Sequence, residues 1–123
     1  MASLDAKGAL FDAFASVAAA LASGRRAEIV DLLAQGERSV EEIARETGQS
    51  VAATSHHLRL LAKSGLAHSR RDGRRIYYRL ASERVGELWT AVRDVASRHV
   101  AEVAVLADEY LGERKEVEQL TAP

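Results

Sequence analysis

A mainly helical domain with one β-hairpin, arranged as a winged helix-turn-helix, is the fold class that three features of this 123-residue sequence predict. Apolar residues recur at steps of three and four in several separate segments, the spacing of amphipathic helices. A Ser-x-x-Glu signal at Ser39–Glu42 and a glycine at 48 bracket a short helical segment just before a longer one, so two helices meet across a tight turn. Asp72-Gly73 then separates two short runs, the signal for a hairpin, or wing.

The first segment, about Asp5 to Ala22, is Ala-rich, carries Leu10, Phe11, Phe14, Val17, Ala18 and Leu21, and has no charged residue between Asp12 and Arg25. A helix that is apolar nearly all round must be buried on more than one side, which in a chain of this size implies a partner chain. Ser23-Gly24 interrupts it. The stretch GRRAEIVDLLAQGE predicts a second helix with Ile29, Leu32 and Leu33 inward and Gly36 as its stop signal. In the capping box Ser39 accepts from an early backbone amide and Glu42 reaches back, opening a helix that buries Val40, Ile43 and Ala44 and ends at Gly48.

Gln49-Ser50 caps the next helix, SVAATSHHLRLLAK, whose packed face is Val51, Thr54, Ser55, Leu58, Leu61 and Ala62. Ala52, Ala53, His56, Arg59 and Lys63 lie opposite, small at the start and then polar or basic, which lets the helix approach base edges in a major groove. Leu60 falls on that outer arc and needs cover from the hairpin. Turning at Asp72-Gly73 with positive φ at both, the hairpin sets Arg71 opposite Arg74, Arg70 opposite Arg75, Ser69 opposite Ile76 and Ala67 opposite Tyr78. Ala67, Ser69, Ile76, Tyr78 and Leu80 then share the packed side, and His68, Arg70, Arg75, Tyr77 and Arg79 the other. Like charges directly opposite destabilise a ladder, so the facing arginines point to a polyanion that neutralises them. Candidate DNA contacts are therefore Ser50, Ala52, Ala53, Ser55, His56, Arg59 and Lys63 on the reading helix and Arg70, Arg71, Arg74 and Arg75 on the wing.

Glu83 to Leu111 reads as one long helix with a stripe of Val85, Trp89, Val92, Ala96, His99, Val103, Leu106 and Tyr110. That stripe is longer than a three-helix core can use, so it is expected to pair with its copy and with the first helix in a homodimer. Residues 1–111 then form one DNA-binding and dimerisation domain, and the polar segment 112–123 a disordered tail.

From His56 to Arg79 there are seven Lys and Arg and one acid, a net of +6, against a net of −7 elsewhere. This separation, not the overall charge of −1, suits a polyanionic partner. The chain has no cysteine, which excludes disulfides, thiolate metal sites and thiol redox switching. No secretory signal opens it and no apolar run approaches the roughly 18 residues of a membrane span, so a cytoplasmic protein is expected. Neither HExxH, a nucleophile elbow nor a phosphate loop is present, and the reading is not that of an enzyme.

The segments Ser55-His56-His57-Leu58-Arg59-Leu60-Leu61, Ser64-Gly65-Leu66, Arg71-Asp72-Gly73-Arg74 and Ile76-Tyr77-Tyr78-Arg79-Leu80 carry a resemblance to the ArsR/SmtB family of small dimeric bacterial repressors, over roughly Phe11 to Leu106. The resemblance implies that the reading helix enters the major groove of a double-stranded operator, the wing lies along the backbone, and the first and last helices form the dimer. It also implies release from the operator when a metal or other signal binds. The family's sensing residues do not carry over. Val40-Glu41-Glu42-Ile43-Ala44 lacks the cysteines of soft-metal sensors, and Ser82-Glu83-Arg84 stands where zinc, cobalt or nickel sensors have Asp-x-His. The nearest echo of a later ligand pair is His99 with Glu102, whose copies across a dimer axis would supply nitrogen and oxygen donors of the kind divalent nickel, zinc or cobalt accept. The alternative is that a separate sensor protein, bound through the apolar helices, supplies the signal.

Overall fold

A computed structural model describes residues 4–121, with the side chains of 111 and 113–118 left aside. The order is α1 (Leu4–Ala20), α2 (Gly24–Ala34), β1 (Arg38–Ser39), α3 (Val40–Thr47), α4 (Val51–Lys63), β2 (Ala67–Asp72), β3 (Arg75–Leu80) and α5 (Glu83–Thr121). Contacts divide the chain inside α5, into one unit that ends at Trp89 and another that begins at Thr90. Among the described residues no single helix is long and apolar enough to cross a membrane.

The first unit is built on Ile29, Val30 and Leu33 of α2, Val40 and Ile43 of α3, and Leu58 and Leu61 of α4, closed by Leu66, Ala67, Tyr78 and the first turn of α5 at Val85. Ile29, Ile43, Leu58 and Leu61 are fully buried because each falls on the inward arc of its helix. The capping box forms as expected: Ser39 Oγ accepts from Glu42 N at 3.2 Å, and Ser39 N donates to Glu42 Oε1 at 3.4 Å. Gly48, at φ 67°, ends α3 in the left-handed region that a side chain disfavours, and its amide bonds back to Ala44 and Arg45 carbonyls. Trp89 Nε1 donates to Asp31 Oδ1 at 2.8 Å, fastening the base of α5 to α2.

Four expectations need correcting. The hairpin register differs: Asp72 pairs with Arg75, Arg71 with Ile76, Arg70 with Tyr77, Ser69 with Tyr78, His68 with Arg79 and Ala67 with Leu80. Gly73 (φ 64°) takes positive φ but among the described residues no non-glycine does, and Asp72 pairs with Arg75, so the two-residue turn is Gly73-Arg74 instead of Asp72-Gly73. Glycine at the first central position satisfies the turn without straining Asp72. The arginines consequently do not face one another, and ladder repulsion is no argument for a polyanion. Second, the sheet has three strands in the order β1-β3-β2, since Arg38 and Ser39 pair with Tyr78 and Tyr77. Two residues are too few for alternation to reveal. Third, Val51 is 51% exposed, because it lies in the first turn of α4 away from the Leu58–Leu61 end that the core covers. Fourth, α5 does not stop at Leu111 but continues to Thr121. A single glycine costs a helix only about 1 kcal/mol, and the Glu, Arg, Lys and Gln residues that follow Gly112 are good helix formers. The remaining two residues of the expected tail, 122–123, lie outside those described.

Candidate nucleic-acid interface

Ser50 begins α4 as its N-cap, with Oγ accepting from Ala53 N at 3.1 Å. Its hydroxyl oxygen thus satisfies one of the amides that a helix start leaves open. From there the helix sorts its residues by face. Thr54, Leu58 and Leu61 are buried, Ser55 and Ala53 half-buried, and Ala52, His56, Arg59 and Lys63 exposed. The outward arc therefore opens with alanine and closes with two cations, as the periodicity required. Leu60, the residue out of place on it, is half-buried. Leu66 N donates to Leu61 O at 2.9 Å, tying the end of the helix to the start of the wing.

On the wing, Arg71, Arg74 and Arg75 are exposed and make no ion pair among the described residues. Arg70 is different. Its Nε donates to both carboxylate oxygens of Glu37 at 3.0 Å and its Nη2 to Glu37 Oε1 at 2.6 Å, while its guanidinium carbon lies 4.4 Å from the centre of the Tyr77 ring. The hydrogen bonds from Arg70 hold the Glu37 carboxyl below its usual range, helped by the charges of Arg70 and Arg79. Of the four wing arginines expected to bind phosphate, three make no ion pair among the described residues and one is paired with Glu37. Sequence reasoning missed this pair because its members stand 33 residues apart and only β1 brings them together.

His57 points away from the outward arc and is half-buried, with its Nδ1 buried and unpartnered. Burial lowers its pKa below 6.5, and the positive charges of Arg26, His56 and Arg25 act in the same direction. Arg26 itself caps the end of α1, donating from Nε to Ala20 O at 2.6 Å and from Nη2 to Ala19 O at 3.3 Å. His56 and His57 thus separate as the helical step of 100° dictates, one to solvent and one toward α2.

In the second unit, His99 lies beside Ala91, Val92, Val95 and Ala96 along an apolar groove of α5. No group of three or more His, Asp or Glu gathers among the described residues, so His99 and Glu102 offer two donors where transition-metal sites usually take four. One chain by itself does not make the fit.

This geometry is shared with known proteins. Residues 23–69 match the bacterial regulatory protein, arsR family. The homodimeric winged helix-turn-helix DNA-binding domain of Mb0332 from Mycobacterium bovis, a possible ArsR-family transcriptional regulator, is 48% identical with a TM-score of 0.75, over 81% of this chain and 93% of that one. The chain belongs to the ArsR family. NolR from Sinorhizobium fredii superposes on this ArsR-family chain with a TM-score of 0.68 at 30% identity, covering 77% of the chain and 94% of its own. The HTH-type transcriptional regulator Rv0324 of Mycobacterium tuberculosis is 51% identical over 108 residues, which is 88% of this chain and 48% of that protein. The chain spans about half the length of the first curated relatives it matches, at 48% and 52% of theirs. Those relatives are transcriptional regulators, and the ArsR-family chain is a winged helix-turn-helix of the kind such regulators use to bind DNA.

Proposed function

We propose that this ArsR-family chain acts as a sequence-specific transcriptional repressor that binds an inverted-repeat operator as a homodimer. The observation that carries the reading is the pairing of two surfaces on one unit: the outward arc of α4, from Ala52 through His56 to Arg59 and Lys63, and a wing whose exposed Arg71, Arg74 and Arg75 make no ion pair among the described residues. Ser50, Ala52, Ala53, Ser55 and His56 approach base edges, Arg59 and Lys63 the flanking phosphates, and the three arginines the backbone beyond the groove.

Dimerisation has separate support. Phe11 and Phe14 on α1 in the first unit are 59% and 58% exposed, and Val95 and Leu106 on α5 in the second are 74% and 64% exposed, so each unit carries apolar side chains that a monomer would leave in water. The Mycobacterium bovis relative is a homodimer. Two α4 helices related by a two-fold axis meet successive major grooves, so half-site centres lie about 10 bp apart. Electrophoretic shift of promoter fragments, with random duplex as competitor, tests the reading, and equal affinity for both would refute sequence-specific binding.

The signal follows from what the chain can offer. One relative is a cadmium resistance regulatory protein homolog and another a repressor homolog of SmtB. In this chain a nickel, zinc or cobalt ion would need His99 and Glu102 from both copies. Calorimetric titration of each metal into the wild type and His99→Ala decides it: equal heats from the two proteins remove His99 as a ligand. In that event the alternative, a separate sensor protein docked on the exposed helices, becomes the reading to pursue by co-purification.

A further inference from the structure

Glu37 and Arg70 grip each other across the whole width of the small sheet. Glu37 stands immediately before β1, Arg70 is in β2, and between them runs β3, whose Tyr77 pairs with Ser39 on one side and with Arg70 on the other. The Tyr77 ring supports the guanidinium plane at 4.4 Å while two Arg70 nitrogens reach the carboxylate. An exposed ion pair held at one point contributes little, but a forked contact stacked on an aromatic ring has a defined geometry that lysine cannot reproduce. Its consequence is mechanical: β2 is the outer strand of the wing, and beside the backbone ladder through β3 this contact joins it directly to Glu37 in the segment between α2 and α3.

We propose that Glu37 is a positioning residue of the DNA-binding surface, acting through Arg70 to hold the wing at the angle from which Arg71, Arg74 and Arg75 meet the phosphate backbone. This rests on the proposed DNA-binding function. Arg70 on this account is a strut and not a phosphate ligand, although it is one of five arginines on the hairpin, Arg79 included. An acidic residue that helps a protein bind a polyanion is the counter-intuitive part, and it makes the test decisive.

Binding of operator duplex is measured against salt concentration for the full chain and for Glu37→Ala, Arg70→Lys and the double variant. Glu37→Ala removes a negative charge and Arg70→Lys leaves the charge unchanged, so simple electrostatics predicts tighter binding for the first and no change for the second. The strut predicts that both weaken binding about three- to tenfold and that both flatten the log–log salt slope by about one unit, because a misplaced wing makes fewer phosphate contacts. The double variant should be no worse than either single one, since the two changes break the same contact. Amide hydrogen exchange of β2 in the free protein should quicken in all three variants without a fall in the midpoint of unfolding of the α-helical core. A steeper slope and tighter binding in Glu37→Ala would make Arg70 a phosphate ligand that Glu37 sequesters, and overturn the inference. Unchanged slopes in both single variants would overturn it as well. Failure of the wild type to bind any duplex is a distinct result that refutes the proposed function itself.

Discussion

On the proposed function Arg74 and His56 divide the labour of recognition, and substitution separates their roles. Arg74 is exposed at the turn of the wing and makes no ion pair among the described residues, so Arg74→Ala should weaken binding to operator and random duplex alike and flatten the salt slope by about one unit. His56→Ala should instead lower the operator-to-random ratio, by about 1 to 3 kcal/mol for one base contact, which competition shifts measure directly. His57 carries a pH dependence of a different kind. Its pKa is lowered in the folded protein by burial and then by the neighbouring cations, so the unfolded chain binds the proton more readily. The stability it contributes is present above pH 6.5 and is lost as the pH falls through that value toward the folded pKa. Urea unfolding of wild type and His57→Asn between pH 7.5 and about 5 should therefore show the steeper loss in the wild type, and parallel curves would refute the assignment.

Among the elements, α3 and α4 depend on different forces. The short α3 spans eight residues, too few to persist by propensity, and its capping box and buried Val40 and Ile43 hold it in place. Ser39→Ala should cost about 0.5 to 2 kcal/mol in chemical denaturation, with Ser39→Asp recovering part of it because aspartate also caps. In α4, Leu58 is fully buried against α2 and α3, and Leu58→Ala should cost about 2 to 5 kcal/mol through lost burial and the cavity left behind. Val51→Ala on the same helix, at a site 51% exposed, should change stability by less than about 1 kcal/mol. Reversal of that order would mean that the first turn of α4 is buried.

For the whole molecule the expected state is a dimer. Sedimentation at micromolar concentration should give twice the 13.3 kDa chain mass, and Phe11→Glu with Phe14→Glu on α1 should shift it to monomer. Loss of the dimer should also abolish the operator preference for two half-sites while leaving weak binding to one, because each copy retains its own α4 and wing.

The positions of α1 to α4 and the start of α5, the capping box, the inward residues Ile29, Ile43, Leu58 and Leu61 and the outward basic arc of α4 were legible in the sequence, because each is set by contacts within a few residues or by the 3.6-residue period. The exposed apolar faces of α1 and α5 were legible too, as more hydrophobic surface than one small domain can cover. What only the tertiary structure decided depends on pairings between distant residues. The turn at Gly73-Arg74 altered every cross-strand partner, and β1 arose from two residues that no pattern marks. The Glu37–Arg70 contact followed from both, joining residues 33 positions apart. Local chemistry sets which way a side chain points from its own element, whereas its partner is set by how the elements pack, and only the latter turned Arg70 from a free cation into half of an ion pair.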